Sequence, residues 1–373
     1  MIFSVDRILF LEAVSRLQRV VSSKSALPVL EGILISAEQE QLTLAAYNLE
    51  ISMKKVIPAK SEETGDIVLT ASLLADILRR INAETIELES DEKLNCHIRG
   101  GDAVFDIMGM AAMDFPEMPS VSDGTKISLS GELFGEMVAG TLFAVAQTEG
   151  TRPILMGVNI SVHEKMLQFV AIDGYRLAIR REPVDLDGDA EMVITGRAVS
   201  EVAKLIDENT ENIEILIGKR LVSFVIDGYV FICRLMDGEF VNYQKTIPTE
   251  FSQSVNISRS ALLNIVERVS LLINDSFSTP IRCNFEADKV IFNCATAKGR
   301  ATENFAVALN GEPFQIGLNS RYLTEALRAV PEDRLQIRFK GANAGVVLRS
   351  DEENNDRYLY MIMPMRLKND GNG

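Results

Sequence analysis

Two short stretches of the chain hold side chains that could do chemistry. Asp173-Gly174-Tyr175-Arg176 sets a carboxylate, a phenol and a guanidinium within four residues, the pairing of an acid with a cation. An enzyme would need a nucleophile with its base, a phosphate-cradling Gly-rich loop or a metal cluster beside it, and the sequence supplies none. Asp173 is therefore expected to hold a turn. Met363-Pro364-Met365-Arg366-Leu367 is the second stretch. Proline fixes its backbone, and thioether and aliphatic groups make an adaptable apolar surface. Its chemistry is recognition of apolar peptides; the open alternative is that these methionines fill a core. His97 and His163 have no acidic or cysteine partner at ligand spacing, so neither a zinc site nor a His-based triad is expected. Cys96, Cys233, Cys283 and Cys294 are far apart, form no CxxC and read as reduced cytoplasmic thiols. The chain reads as non-catalytic, with no cofactor and no metal.

These stretches must be positioned by a large scaffold. The 373 residues exceed one ordinary domain, and 47% hydrophobic with 24% charged residues fits a globular protein. No run of 18 apolar residues suggests a membrane span, and MIFSVDRILF lacks the basic and apolar regions of a secretory signal. A net charge of −15 taken alone argues against nucleic-acid binding.

The chain repeats three times. MIFSVDRILFLEAVSRLQRVV (1–21), KISLSGELFGEMVAGTLFAVA (126–146) and VNISRSALLNIVERVSLLI (255–273) each read as a strand, a polar cap and an amphipathic helix. Ser4, Ser128 and Asn256 fall at equivalent places. A second set comprises IVLTASLLADILRRI (67–81), MVITGRAVSEVAKLI (192–206) and FQIGLNSRYLTEALRAV (314–330), and aligns Ser72, Arg197 and Arg321. Strand-like stretches lie between the sets. The expected fold class is α+β, with three repeated domains of two helices packed on antiparallel sheets, at 1–122, 126–249 and 253–373. The turn-rich segments PSVSDGTK and PTEFSQS separate them.

In the first helix Phe10, Val14, Leu17 and Val21 share a face opposite Glu12, Arg16 and Arg19. Read as 7–21, 71–82, 131–146, 196–207, 258–272 and 320–330, the six helices together carry +3, leaving −18 for the rest. A surface built from these helices would be neutral to basic within an acidic body. Glu132 and Glu136 run against that pattern.

The triplication, Ala171-Ile172-Asp173-Gly174-Tyr175-Arg176-Leu177-Ala178 and Met363-Pro364-Met365-Arg366-Leu367 resemble the bacterial DNA polymerase III beta subunit family, the replicative sliding clamps. DFPEMP after the first repeat and Leu-Met-Asp-Gly-Glu-Phe at 235–240 agree. The resemblance implies a homodimer of two crescents joined head to tail into a ring, its hole lined by helices and threaded by duplex DNA without sequence preference. It also implies a non-catalytic processivity subunit, grouped with the DNA-directed DNA polymerase activity of its holoenzyme. Implied partners are the replicative polymerase catalytic subunit, the clamp loader and other replication and repair proteins with a clamp-binding motif. Residue by residue, the family's peptide cleft falls on Leu155, Gly174, Tyr175, Arg176, Leu177, Tyr322, Met363, Pro364, Met365, Arg366 and Leu367, with Val346 and Met361 beside them. Ile172, Val241, Lys245 and Thr246 occupy cleft positions where the family differs, so the pocket's shape is expected to differ too. The implied DNA-facing residues are Lys24, Arg79, Arg80, Arg152, Arg197 and Arg321, with a solvated loop lysine as the alternative for Lys24. The implied dimer interface joins Phe105 and Ile107 to Leu271, Leu272 and Ile273. The competing reading is a peptide-binding scaffold that does not encircle DNA. Lys368–Gly373 reads as a disordered tail.

Overall fold

The computed structural model describes residues 1–22, 24–148, 152–186, 188–274 and 279–367; the tail at 368–373 lies outside them. The chain divides into two compact units, Met1–Phe134 with Arg197–Leu235, and Gly135–Gly196 with Met236–Gly373. Among the described residues, six α-helices accompany sheets in which every strand pair is antiparallel. The helices are α1 (Arg7–Leu17), α2 (Ala71–Arg80), α3 (Gly131–Ala139), α4 (Gly196–Ala203), α5 (Arg259–Val269) and α6 (Ser320–Ala329).

Their starts follow from capping. Asp6 accepts the Leu9 N–H at 2.9 Å, Ser258 accepts that of Ala261 at 3.3 Å, and Asn319 accepts those of Arg321 and Tyr322 at 2.9 and 3.2 Å. Several helices are shorter than the sequence suggests. α1 stops at Leu17, where the Gln18 N–H closes on Val14 O, so Arg19 and Val21 lie beyond it. α3 stops before Gly140, and the following Thr141 turns its hydroxyl back onto Met137 O at 2.8 Å. α4 ends at Ala203, and α5 tightens into a 3-10 turn at Ser270–Leu272. With these bounds the helices carry +2 rather than +3. The inward faces are apolar as read: Phe10, Ala13, Val14 and Leu17 are buried in α1, and Leu323, Ala326 and Leu327 in α6.

The first unit holds a five-stranded sheet in the order Lys60–Glu63, Ile2–Asp6, Thr85–Ser90, Asn95–Gly100, Ala103–Met108. Its eight-stranded sheet runs Thr125–Ser130, Asn212–Ile217, Leu221–Ile226, Tyr229–Arg234, Ile51–Pro58, Gln41–Tyr47, Gly32–Ala37, Gly65–Thr70. The second unit holds a nine-stranded sheet, Ala190–Thr195, Gly157–His163, Met166–Ile172, Arg176–Pro183, Tyr358–Ile362, Val346–Ser350, Arg334–Phe339, Gln253–Ser258, Leu309–Asn310. Its four-stranded sheet runs Gly299–Ala306, Lys289–Thr296, Ile281–Phe285, Phe314–Leu318. All four cysteines are free and buried; burial pushes the Cys96, Cys233 and Cys283 thiols up to about 12, which leaves them inert. No described helix is long and apolar enough to cross a membrane.

Candidate functional site

The site grows from one hairpin of the nine-stranded sheet. Strands Met166–Ile172 and Arg176–Pro183 pair in register, and Asp173 closes the turn between them. Its Oδ1 accepts the N–H groups of Tyr175 and Arg176 at 2.9 and 3.0 Å. Gly174 sits at φ +90°, where a side chain would be strained. The carboxylate thus holds the turn, as its spacing suggests.

Arg176 is the hub. Its side chain is 3% exposed, and its Nε donates to Asp173 Oδ2 at 3.0 Å. Its Nη1 pairs with Glu325 of α6. The guanidinium lies over the Tyr322 ring at 4.4 Å and the Phe143 ring at 5.7 Å. Two carboxylates and two aromatic faces replace the water that the buried cation has lost. The Tyr175 ring stacks on Tyr322 at 6.4 Å, and burial raises the Tyr322 hydroxyl above its ordinary pKa.

Strand Tyr358–Ile362 pairs beside the hairpin, with Leu177 opposite Met361. The chain then leaves the sheet edge-on: the Met363 N–H donates to Tyr175 O at 2.7 Å and the Met365 N–H to Gly317 O at 2.8 Å. A Cβ on Gly317 would stand 2.8 Å from the Met365 carbonyl oxygen, a backbone atom that this pairing fixes, so this passage requires glycine.

Against this segment lies a cavity of about 710 Å³, lined by Arg152, Leu155, Ile172, Gly174, Arg176, Val241, Asn242, Tyr243, Thr246, Pro248, Ala344, Gly345, Met361 and Met363. Val170, Ile172, Leu177, Ile179, Tyr243, Val347 and Met361 form one buried cluster. A second cavity of about 400 Å³ shares Arg152, Leu155 and Arg176 and adds Tyr175, Arg321 and Tyr322. A mostly apolar hollow with a few fixed polar groups suits a peptide carrying apolar side chains.

Of the expected cleft residues, Leu155, Ile172, Gly174, Arg176, Val241, Thr246, Met361 and Met363 line the larger cavity, and Tyr175 and Tyr322 the smaller. Leu177 and Val346 are buried in the sheet. Lys245, Pro364, Met365, Arg366 and Leu367 line neither. The methionines divide: Met361 is core, whereas Met363 is 37% exposed at the rim. Sequence reasoning missed Tyr243, whose ring walls the cavity while its hydroxyl accepts from Gln168 Nε2 at 2.8 Å. It also missed Gly345, where a Cβ would meet Met361 Sδ at 2.6 Å. The glycine- and alanine-rich run 341–345 before an apolar strand was the available signal for that close approach.

Arg152 and Arg321, expected to face DNA, line these cavities. Arg321 is tied to Glu325 at 3.0 Å and Arg79 to Asp76 at 2.7 Å. Lys24, Arg80 and Arg197 are exposed and have no ion-pair partner among the described residues. Phe105 and Ile107 are half-buried on one face of the outermost strand Ala103–Met108. Leu271 is 80% exposed beyond α5, with Leu272 and Ile273 half-buried. Each histidine has an acidic partner through space: His97 Nδ1 lies 2.5 Å from Asp106 and His163 Nδ1 2.8 Å from Asp189. The described residues hold no group of three or more potential metal ligands.

The DNA polymerase III beta subunit family matches this chain in three consecutive parts: its N-terminal domain over 1–119, its central domain over 128–242 and its C-terminal domain over 244–366. The beta sliding clamp of Halalkalibacterium halodurans is 30% identical, over 98% of this chain and 99% of that one. The beta sliding clamp of Bacillus subtilis is 27% identical, over 98% and 99%. The crystal structure of the B. subtilis DNA polymerase sliding clamp superposes with a TM-score of 0.93, covering 99% of this chain and all of that one at 27% identity. A Pseudomonas aeruginosa sliding clamp bound to griselimycin shares the fold, with a TM-score of 0.90 over 98% of this chain and all of that one at 24% identity. With all three family domains matched in order, the chain belongs to the DNA polymerase III beta subunit family.

Proposed function

We infer that the chain is a DNA sliding clamp, a non-catalytic subunit that encircles duplex DNA as a ring-shaped homodimer and tethers the replicative polymerase for processive synthesis. The observation that carries this is the end-to-end match, in sequence and in fold, with beta sliding clamps. We divide the chain into three clamp domains, 1–122, 126–249 and 253–373; family matches over 1–119, 128–242 and 244–366 support three parts, the last match starting before 253. The protein works inside the cell, in the cytoplasm, on DNA.

The finer assignments follow from that reading. Helix-borne and loop cations, among them Lys24, Arg79, Arg80 and Arg197, face the threaded duplex and touch phosphates rather than bases. The cavity beside Met363 receives apolar peptide segments of the polymerase catalytic subunit, the clamp loader and other clamp-binding proteins. Arg152 and Arg321 serve the rim of that cleft. Apolar groups at Phe105 and Ile107 of one copy and at Leu271, Leu272 and Ile273 of the other are covered in the dimer, where they would otherwise face water.

Light scattering tests the assembly. The chain is expected to be a dimer at micromolar concentration, and Leu272→Ala with Ile273→Ala is expected to shift it toward monomer. A native wild-type monomer would overturn the ring.

A further inference from the structure

One face of the nine-stranded sheet carries a further hollow, of about 570 Å³, beside the peptide cavity. The two share the segment Val241–Tyr243 as a common wall. Their linings differ in kind. The peptide cavity holds Arg152 and Arg176, whereas the described residues lining the hollow include three carboxylates, Asp189, Glu191 and Glu239, and neither lysine nor arginine. Its floor is polar. Strand Gly157–His163 turns Asn159, Ser161 and His163 to one face, and Ser161 stands between Glu191 and Gln168 of the neighbouring strands. Phe240 and Tyr243 wall it, their ring centroids 6.4 Å apart and edge to face.

The carboxylates are unequally used. Asp189 is taken by His163 Nδ1 at 2.8 Å. Glu191 and Glu239 are exposed and have no ion-pair partner among the described residues. Asn159 is 4% exposed, and its Nδ2 donates to Glu191 Oε1 at 2.8 Å. A carboxylate only accepts, so the amide must turn its nitrogen to Glu191; its Oδ1, with no partner among the described residues, is left as an unpaired acceptor on the floor. Gln168 is already spent: its Nε2 donates to the Tyr243 hydroxyl at 2.8 Å, and its Oε1 accepts from Arg181 Nε at 2.7 Å. The hollow therefore offers two free carboxylates and an amide oxygen beside aromatic rings, and holds no cation of its own to satisfy them.

We propose that this hollow takes the guanidinium of an arginine in the same peptide whose apolar side chains enter the cavity beside Met363. This rests on the peptide-cleft reading above and adds a cationic residue to the class of segment recognised. The shared wall makes the two sites continuous, so one extended segment reaches both. A metal ion does not suit the hollow, since the described residues hold no group of three or more potential metal ligands. An apolar side chain would cover the Asn159 oxygen and both glutamates without pairing them. A lysine ammonium is a point charge that a single glutamate satisfies. A guanidinium spreads five N–H donors in one plane, enough for Glu191 on the sheet, Glu239 on the loop and the amide oxygen, and its flat face packs on an aromatic ring such as that of Phe240.

Calorimetry of the full chain tests this with an apolar peptide of the polymerase catalytic subunit, extended at either end by a short serine spacer of varied length and a terminal arginine. At one spacing the arginine should tighten binding about 5-fold over the same peptide ending in serine, the gain of a partly exposed charge cluster. Glu191→Gln with Glu239→Gln should abolish that gain and leave the affinity of the serine-ended peptide unchanged, which also shows that the variant is folded. Glu92→Gln with Glu312→Gln, exposed glutamates elsewhere whose loss changes the net charge equally, should keep the gain. A terminal lysine should recover less than half of it. No gain at any spacing, a gain that survives the loss of Glu191 and Glu239, or one that vanishes with Glu92 and Glu312, overturns the arginine site; an equal gain from lysine overturns the guanidinium assignment. A serine-ended peptide that fails to bind the wild type overturns the cleft itself, and this site with it.

Discussion

The hairpin turn at Asn48 and the hairpin turn at Asp173 are built alike, one in each compact unit. Asn48 Oδ1 accepts the N–H groups of Glu50 and Ile51 at 3.0 and 2.8 Å, as Asp173 Oδ1 accepts those of Tyr175 and Arg176 at 2.9 and 3.0 Å. Leu49 and Gly174 both take left-handed backbone, at φ 73° and 90°. A Cβ at Gly32 would strike Val68 at 2.4 Å, and one at Gly157 would strike Val193 at 2.7 Å. The filling differs. In the first unit Tyr47 and Phe115 pack on Val29, Leu30 and Val68, with Met110 and Met118 against them, and Ile51 is plain core. In the second, Ile172 replaces Tyr47, Arg176 replaces Ile51, and the corner opens into the 710 Å³ cavity. The scaffold is a repeat; the cavity is a local change of filling, with the Arg176 ion cluster in its wall.

That contrast is broken most severely at Arg176. Arg176→Ile, the first unit's residue, leaves Asp173 without its cation and Glu325 with Arg321 alone, and is expected to destabilise the protein by about 2–3 kcal/mol in urea unfolding. That is at or below the usual loss for a broken buried pair, because Glu325 is 26% exposed. Unfolding unchanged within error would show that the cluster holds nothing. Next comes Met363→Ala with Met365→Ala, which should weaken binding of apolar polymerase peptides by about 2 kcal/mol in calorimetry while leaving the dimer and its Tm nearly unchanged. Deleting Lys368–Gly373 should alter neither. If the methionines were mere core, the Tm would fall and affinity would follow it.

A smaller effect sharpens the comparison at the turns. Gly174→Leu should cost about 1 kcal/mol, because a leucine must take left-handed backbone there, while Leu49→Gly should cost less or stabilise. Equal losses at both positions would deny the shared geometry. The smallest effect lies at His163, whose equivalent in the first unit is Glu38. The hydrogen bond to Asp189, first, and that residue's charge raise the His163 pKa above its ordinary 6.5. The folded state therefore holds the proton more tightly. The pair's stabilisation is fully present below about pH 6.5 and is lost as pH rises through the raised value. His163→Gln should flatten that slope in Tm against pH; an unchanged slope would remove the pair from the account.

Much of this was legible in the sequence, because repetition and periodicity are local signals. The offsets of Ser4, Ser128 and Asn256 exposed the triplication, and the apolar stripe of α6 gave its buried face. Asp173 read correctly as a turn residue, since the bonds it accepts lie two and three residues away. What stayed hidden was set by distance along the chain. Glu325 pairs with Arg176 from 149 residues away, and Gln168 fixes Tyr243 from 75. Asp106 and Asp189 reach their histidines only across strands or loops. Helix ends were overrun where Gly140 or a tightening last turn outweighed a continuing apolar pattern.

The central claim is topological, so retention on DNA tests it most directly. Rings loaded onto nicked circular duplex should stay bound through a high-salt wash and should be lost once the circle is cut, because sliding off an end needs no broken contact. Merely mixed with linear duplex, the protein should bind weakly, without sequence preference and with strong salt dependence. Equal retention on cut and closed DNA, or tight site-specific binding to a short linear duplex, would contradict the clamp.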